Sequence, residues 1–330
     1  MTRGNKHTFE GIIMNIFLTG SAGFIGFHTS KSLLDRGHKV VGYDIIGDYY
    51  DPSIKKDRLK ILEAYDDFKF IRGGLEDKEK LNMTFNNHDF DKVVNLAAQP
   101  GVRYSLENPD AYVVSNMVGF YNILEACRNN GVDDLIYASS SSVYGGNEKI
   151  PFSTTDNVDR PLSLYAATKI SNELTAHVYS HLFGINATGL RLFTVYGPWG
   201  RPDMAMFKFT DQIIKGKPID VYNYGKMERD FTYVDDIVDG IVKAINMPFR
   251  YEIFNLGNNR PQTLEYFISL VEENLGMKAK INYLPLQPSE VKLTYADIDR
   301  SKEVLGYKPK TTLEDGVKKF IDWYLDYYEI

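Results

Sequence analysis

The chain has a single cysteine, Cys127, among 330 residues. No intramolecular disulfide can form, and a lone Cys within an apolar helical pattern reads as a small buried residue, as suits a reducing, cytoplasmic setting. Long hydrophobic runs are missing as well. No stretch reaches the ~18 uninterrupted apolar residues of a membrane span, and the polar N-terminus has no signal-peptide pattern. Neither a span nor a leader is expected. Positive charge is not in excess: 38 Lys and Arg face 44 Asp and Glu, for a net charge of −6. That balance supplies no global field for nucleic acid or an anionic membrane, so neither is expected as a partner. An anionic ligand must instead meet individually placed arginines or backbone N–H groups. Metal-ligand clusters are also scarce. Glu173, His177 and His181 recur every four residues on one helical pattern, but no second cluster accompanies them. We read them as surface or interface polar residues and expect no metal.

What is present is a strand–turn–helix–strand unit. Ile16-Phe-Leu18 is an apolar run of the buried parallel-strand type. It enters Gly20-Ser-Ala-Gly23-Phe-Ile-Gly26, then a helix to Gly37, then Val40-Val-Gly-Tyr and Asp44. This is the dinucleotide-binding arrangement, spaced GxxGxxG. Gly20 allows the tight turn, Gly23 lets backbone approach a pyrophosphate at the helix N-terminus, and Gly26 lets helix and strand pack closely. Asp44 can accept bonds from a ribose 2′-hydroxyl and would repel a 2′-phosphate, which favours NAD over NADP.

Further strands are expected at residues 68–71, 91–98, 135–138 and 188–193, separated by helical stretches. One is a helix from Asp110 to Asn130 with Val113, Val114, Met117, Phe120, Tyr121, Leu124 and Cys127 as its apolar face. The alternation predicts an α/β fold, a doubly wound parallel Rossmann sheet over residues 14–195. Past residue 196 the alternation degrades into a smaller mixed α/β domain over 196–330, with 231–258 packing back on the first. Residues 1–13 read as a loosely held extension.

A long helical pattern from Ser163 to Phe183, closed by Gly184, carries Tyr165 and Lys169 one turn apart on one face. An ammonium beside a phenol favours the phenolate, so the pair can make a general base. Bringing a tyrosine near neutrality would take a shift of roughly three units, ~4 kcal/mol. Alone, the spacing equally describes a core ring and a solvated amine. The serine run Ser139-Ser-Ser-Ser142 before Val-Tyr-Gly145 ends a strand, where such sheets gather their chemistry. A serine run there can also simply cap its own backbone.

The glycine turn, Asn95-Leu-Ala-Ala-Gln99, Ser139-Ser-Ser-Ser-Val-Tyr-Gly145, Tyr165-x-x-x-Lys169 and Arg229-Asp-Phe stand in the order of the extended short-chain dehydrogenase/reductase family, which the chain resembles from Met14 onward. Gln99-Pro-Gly-Val-Arg-Tyr-Ser105 and Phe193-Thr-Val-Tyr-Gly-Pro-Trp-Gly-Arg-Pro-Asp-Met204 resemble most the UDP-glucuronate 4-epimerase branch.

The resemblance implies NAD as cofactor and a UDP-sugar as substrate. It implies Tyr165 as base, Lys169 lowering its pKa and holding the nicotinamide ribose, and Ser140 bridging tyrosine and sugar oxygen. It further implies cofactor contacts at Gly20, Gly23, Phe24, Ile25, Gly26, Asp44, Leu75, Leu96, Ala97, Ala98 and Asn116. Substrate contacts fall to Ser140, Ser141, Ser142 and Thr194 at the sugar acid, with Arg229 and Arg103 at the diphosphate and Arg201 near the sugar or the phosphates. A homodimer through the 110–130 and 163–183 helices is implied too.

Acids that related dehydratases and decarboxylases carry at positions 141 and 142 are missing. A UDP-glucose/UDP-galactose 4-epimerase is the main alternative, with a decarboxylase or a catalytically silent sensor behind it. One departure concerns the cofactor. Where the family's third strand ends in Gly-Asp, this chain has Gly73-Gly74, so that carboxylate is missing and adenine must be met by backbone near Leu75 or by a neighbour such as Glu76.

Overall fold

The computed structural model describes residues 12–287 and 291–330. The expected loose extension lies, but for its last two residues, outside the described part. The first half runs β1 (Asn15–Thr19), α1 (Phe24–Leu34), β2 (Lys39–Asp44), α2 (Ser53–Leu62), β3 (Phe68–Arg72), α3 (Lys78–Asn86) and β4 (Lys92–Asn95). Two short helices, α4 (Tyr104–Glu107) and α5 (Pro109–Tyr112), lead into a π-helical stretch, Val113–Val118, and α6 (Gly119–Asn130). Then come β5 (Asp134–Ser140), α7 (Leu164–Phe183), β6 (Asn186–Leu192) and β7 (Thr194–Tyr196). The remainder is α8 (Ala205–Ile214), β8 (Pro218–Tyr222), β9 (Glu228–Arg229), β10 (Phe231–Tyr233), α9 (Val234–Ile245) and β11 (Tyr251–Leu256). It closes with β12 (Gln262–Thr263), α10 (Leu264–Leu275), β13 (Lys280–Leu284), α11 (Asp299–Leu305) and α12 (Leu313–Tyr327).

Seven parallel strands form the central sheet in the order β11-β6-β5-β4-β1-β2-β3. Chain order reverses between β1 and β4, which makes the crevice at their carboxyl ends the ligand position of this architecture. Alternation along each strand feeds two cores. Ile16 and Leu18 enter one, shared with α1, α9 and the C-terminal aromatics; Phe17 enters the other, with Phe120, Ile123 and Cys127 of α6. The seventh strand comes from late in the chain: β11 pairs with β6 from Tyr251↔Ala187 to Leu256↔Leu192.

The expected uniform helix at 110–130 is instead an α–π–α run. Its expected single apolar face is split. Phe120, Leu124 and Cys127 are buried, whereas Val113, Val114, Met117 and Tyr121 remain exposed. The wider π turn rotates the face and sends Asn116 inward, where it is 2% exposed. The fourth strand stops at Asn95 rather than Ala98 because the next backbone N–H groups leave the ladder: Ala97 N–H goes to Thr19 Oγ1 at 3.1 Å, and Gln99 N–H to Asn116 Oδ1 at 2.7 Å.

The loop after β7 is pinned to the first half of the chain at three successive carbonyls. His28 Nε2 donates to Pro198 O at 2.9 Å, since burial pulls that imidazole down to about 4 and keeps it neutral. Arg58, fully buried, donates to Trp199 O at 2.6 Å and Gly200 O at 3.2 Å, and also to Ala22 O in the glycine turn at 2.8 Å. Trp199 adopts φ +59°, a left-handed value that bulky residues avoid, and its ring is held among Phe27, Trp323 and Tyr327. The strained residue immediately precedes Gly200 and Arg201.

Candidate active site

The glycine turn has the close fits its spacing predicts. Gly20 sits at φ +75°, and a Cβ there would lie 2.8 Å from Ala97 N. A Cβ at Gly26 would lie 1.9 Å from Gly20 O. Gly23 donates its N–H to Gly20 O at 2.8 Å and begins α1 with no side-chain cap. The first-turn N–H groups, which Phe24 and Ile25 carry, are therefore left to face an anion. Asp44 ends β2, buried, with Oδ2 accepting from Ala22 N at 3.2 Å and Oδ1 from Ile46 N at 2.8 Å. Burial raises its pKa, and those two N–H groups with Lys55 and Arg58 work against the rise. A glycine cradle, an uncapped helix start and a buried acid at the next strand end together fit a dinucleotide.

Other expected cofactor residues are placed less directly. Leu96, Ala97 and Ala98 are half-buried at the end of β4, beside the glycine turn. Leu75 is buried and its carbonyl is taken by Asn122 Nδ2 at 2.9 Å. Asn116 spends its amide on the protein: besides Gln99 N–H, it donates to Gln99 O at 3.1 Å and to Thr168 Oγ1 at 3.2 Å. It is a brace between the β4 loop and α7 rather than an open contact. At Gly74 a Cβ would run into the Glu76 carboxylate, so an acid does occupy the space next to the position where the family's aspartate is missing.

Tyr165, Lys169 and the serines converge at the ends of β5 and the start of α7. Ser163 caps α7 by accepting from Ala166 N at 3.1 Å, which fixes the turn carrying Tyr165. Tyr165 is half-buried, and its ring meets Tyr112 edge-on at 6.1 Å. Ser140 lies by the Tyr165 hydroxyl and works to lower its pKa, caps the short 3₁₀ turn Ser141–Tyr144 through Ser142 N at 3.2 Å, and accepts from Ser142 Oγ at 2.9 Å. Both readings of the serine run thus coexist in Ser140. Ser141 and Ser142 are half-buried at the same end.

Burial dominates the electrostatics of the pair. Lys169 Nζ donates to Ala138 O at 2.9 Å and stands 5.9 Å from the Tyr165 ring centre. Burial raises the Tyr165 pKa, and Ser140 and the charge of Arg201 oppose the rise. Lys169 itself is brought down to about 8 by burial, with Glu173 pulling it back up.

On the substrate side, Thr194 opens β7 and is register partner to Phe231 of β10, which places Arg229 two residues from that pairing. Arg229 donates to Glu228 O at 2.9 Å and Lys292 O at 3.2 Å. Arg201 is held by Asp203 in a two-point fork, and Asp203 also accepts from Tyr49 OH at 3.2 Å. Arg103 is exposed and lies 4.0 Å over the Tyr222 ring at the end of β8. The structure so brings Arg201 toward Tyr165 and leaves Arg229 and Arg103 on the C-terminal side.

Three supporting residues escaped the sequence reading. Asp230, fully buried, accepts N–H groups from Asn258, Asn259 and Ala296 at 2.6, 3.0 and 2.9 Å, so it fixes the backbone beside Arg229. Arg58 binds only backbone carbonyls and a tyrosine hydroxyl, which no charge pattern announces. Glu173 corrects an expectation: it is 5% exposed and faces the sheet, whereas His177 and His181 are exposed. The signal was available, because Glu173 follows Lys169 by the same four residues that separate Lys169 from Tyr165. Among the described residues no group of His, Cys, Asp and Glu is arranged to hold a metal.

The comparisons agree with this geometry. The model of the NAD dependent epimerase/dehydratase family matches residues 16–257. An uncharacterised protein of Methanocaldococcus jannaschii is 55% identical over 94% of this chain and 96% of its own. A probable UDP-glucuronate 4-epimerase of Rhizobium meliloti is 45% identical over 94% of this chain and 97% of its own. The crystal structure of the Bacillus cereus UDP-glucuronic acid 4-epimerase with UDP-glucuronic acid and NAD superposes with a TM-score of 0.90 at 37% identity, covering 96% of this chain and all (100%) of that one. With its glycine cradle, strand-end acid and Tyr165–Lys169 pair in one crevice, the chain belongs to the NAD dependent epimerase/dehydratase family.

Proposed function

We propose that the protein is an NAD-dependent UDP-glucuronate 4-epimerase, interconverting UDP-glucuronate and UDP-galacturonate. The observation that carries this reading is the meeting of Tyr165 and Ser140 at a strand end where positions 141 and 142 are serines and not acids. Bound NAD supplies an acceptor for the C4 hydride and returns it, so net redox is zero. Gly20, Gly23 and the α1 N-terminus hold its diphosphate, and Asp44 a ribose hydroxyl.

Tyr165 takes the proton of the sugar 4-hydroxyl as the hydride leaves C4, and hands it back after the 4-keto sugar has turned. Ser140 bonds both oxygens, the phenol's and the sugar's. Lys169, charged below about pH 8, steadies the phenolate as it forms. Arg201 adds its charge to the same phenol. Arg229 and Arg103 keep the diphosphate anchored during the turn, since a guanidinium can grip phosphate oxygens in a fork.

The sugar acid sets a hazard, because a 4-keto uronate is a β-keto acid and tends to lose CO2. Ser141, Ser142 and Thr194 hold its carboxylate by hydroxyl donation. They keep the C–C bond out of overlap with the new carbonyl without an ion pair. An acid among them would turn the sugar carboxylate away. Purified protein given UDP-glucuronate should yield UDP-galacturonate by proton NMR with no NAD added beyond what it carries. A UDP-pentose product, or turnover of neutral UDP-hexoses alone, would overturn the assignment.

The protein is further proposed to act in the cytoplasm as a homodimer. Leu174, Val178 and Leu182 of α7 are 64%, 47% and 62% exposed, beside exposed Val114, Met117 and Val118. Apolar side chains on two neighbouring helices suit burial against a second copy. Leu174→Lys with Leu182→Lys should halve the mass measured by light scattering, and an unchanged mass would place the interface elsewhere.

A further inference from the structure

Behind the reacting groups lies a buried ion pair. Arg191, on β6, donates Nε to Glu173 Oε1 at 2.9 Å and a terminal nitrogen to Oε2 at 2.8 Å. Both side chains are nearly closed to solvent, at 6% for Glu173 and 4% for Arg191. Oε1 also accepts the Ser139 hydroxyl at 2.6 Å. Tyr251, from β11, donates to the Glu173 carbonyl at 3.1 Å. The Arg191 guanidinium lies 4.8 Å from the Tyr144 ring centre.

Ser139 is what ties this pair to the chemistry. It stands between Ala138, whose carbonyl takes the Lys169 ammonium, and Ser140, whose hydroxyl lies by Tyr165 and opposes the rise in its pKa. Glu173 therefore grips the residue from whose two neighbours both reacting groups are set. It also lies one helical turn beyond Lys169, so its charge reaches the ammonium along α7. Stability alone explains such a pair poorly, because a buried ion pair is often no better than apolar residues of its own volume.

We infer that Glu173, locked by Arg191, is a positioning residue: it fixes the end of β5 through Ser139 and keeps Lys169 charged. The inference rests on the proposed role of Lys169 as an ammonium. The charged and titratable groups linked to this network are Tyr165 beside Lys169, Tyr137 and Tyr251 near Glu173, Tyr144 over Arg191, and Arg201 near Tyr165. Burial holds Tyr137, Tyr144 and Tyr251 above their ordinary value, so they stay neutral at working pH. Apart from Tyr165 when it acts as the base, Glu173 is the negative group of the set.

The test reads Lys169 directly. Protein labelled with [ε-13C]lysine is titrated by NMR, and the Lys169 signal is identified by its disappearance in Lys169→Arg. The midpoint, about 8 in the unaltered chain, should fall by about one pH unit in Glu173→Gln, the shift typical of losing an opposite charge nearby. The alkaline limb of the epimerisation rate should fall with it. Glu173→Gln leaves Arg191 buried without its partner and is the variant most prone to unfold. Glu173→Gln with Arg191→Met removes both charges and should show a smaller shift in the same downward direction, since the farther guanidinium offsets part of the loss, in a protein that melts normally. An unmoved midpoint in either folded variant overturns the inference, whatever the substrate. A shifted midpoint in a protein whose unaltered form does not epimerise UDP-glucuronate upholds the inference and overturns the proposed function instead.

Discussion

Tyr165→Phe should abolish epimerisation while leaving UDP-glucuronate affinity within about twofold. Removing a general base that takes the proton in the transition state costs roughly 10²–10⁴ in rate. The substitution is clean by the geometry. Phenylalanine keeps the edge-on contact with Tyr112, and the helix start is fixed by Ser163, not by the phenol. Ser140 keeps its two bonds with Ser142, so no buried polar group is orphaned. The melting temperature should therefore stay within a degree or two. Turnover is followed by NMR and affinity by calorimetry. A Phe variant that still epimerises at the normal rate would remove Tyr165 from the mechanism; one that unfolds would show that the ring, not the hydroxyl, is what the site needs.

Gly26→Ala should empty the protein of NAD. The methyl would begin 1.9 Å from the Gly20 carbonyl oxygen and 2.6 Å from its carbon, both main-chain atoms that cannot rotate away. Only two adjustments are open. Either α1 slides outward, which breaks its packing on α9, or the Gly20–Gly23 turn unfolds, which loses the bond from Gly23 N to Gly20 O. Overpacking of this kind costs about 1–3 kcal/mol and more against backbone. Either route spoils the N–H cradle at the α1 start. Denaturing the purified variant and quantifying released nucleotide should give almost none, against near one per chain for the unaltered protein. Full retention would mean that the turn does not hold the diphosphate.

The cradle and the reacting pair were legible because each depends on local spacing. Glycines three apart with an acid at the next strand end, or a tyrosine and lysine one turn apart, are properties of a short stretch. What stayed hidden is tertiary. Glu173 shares the face of Tyr165 and Lys169, but its burial depends on Arg191, eighteen residues on. Asp230 serves backbone from two later segments. The π turn that divides the 113–121 apolar residues between core and surface has no composition of its own. How Lys169 is held was hidden for a related reason. Periodicity puts the two side chains on one face, but the Ala138 carbonyl decides where the ammonium rests.

The late arrival of β11 has a consequence for how the protein is made. Its partner β6 ends at Leu192, and β11 does not end until Leu256. At ordinary synthesis rates that separation corresponds to roughly 3–13 seconds. A first half that folds as it is made would for that time hold a six-stranded sheet with its β6 border unzipped, the kind of border that recruits strands from other molecules. The newborn polypeptide is thus most exposed to misassembly after its catalytic stretch has been translated and before its last sheet member emerges. Slow translation or chaperone depletion during this window should lower the yield of active enzyme more than the same disturbance earlier.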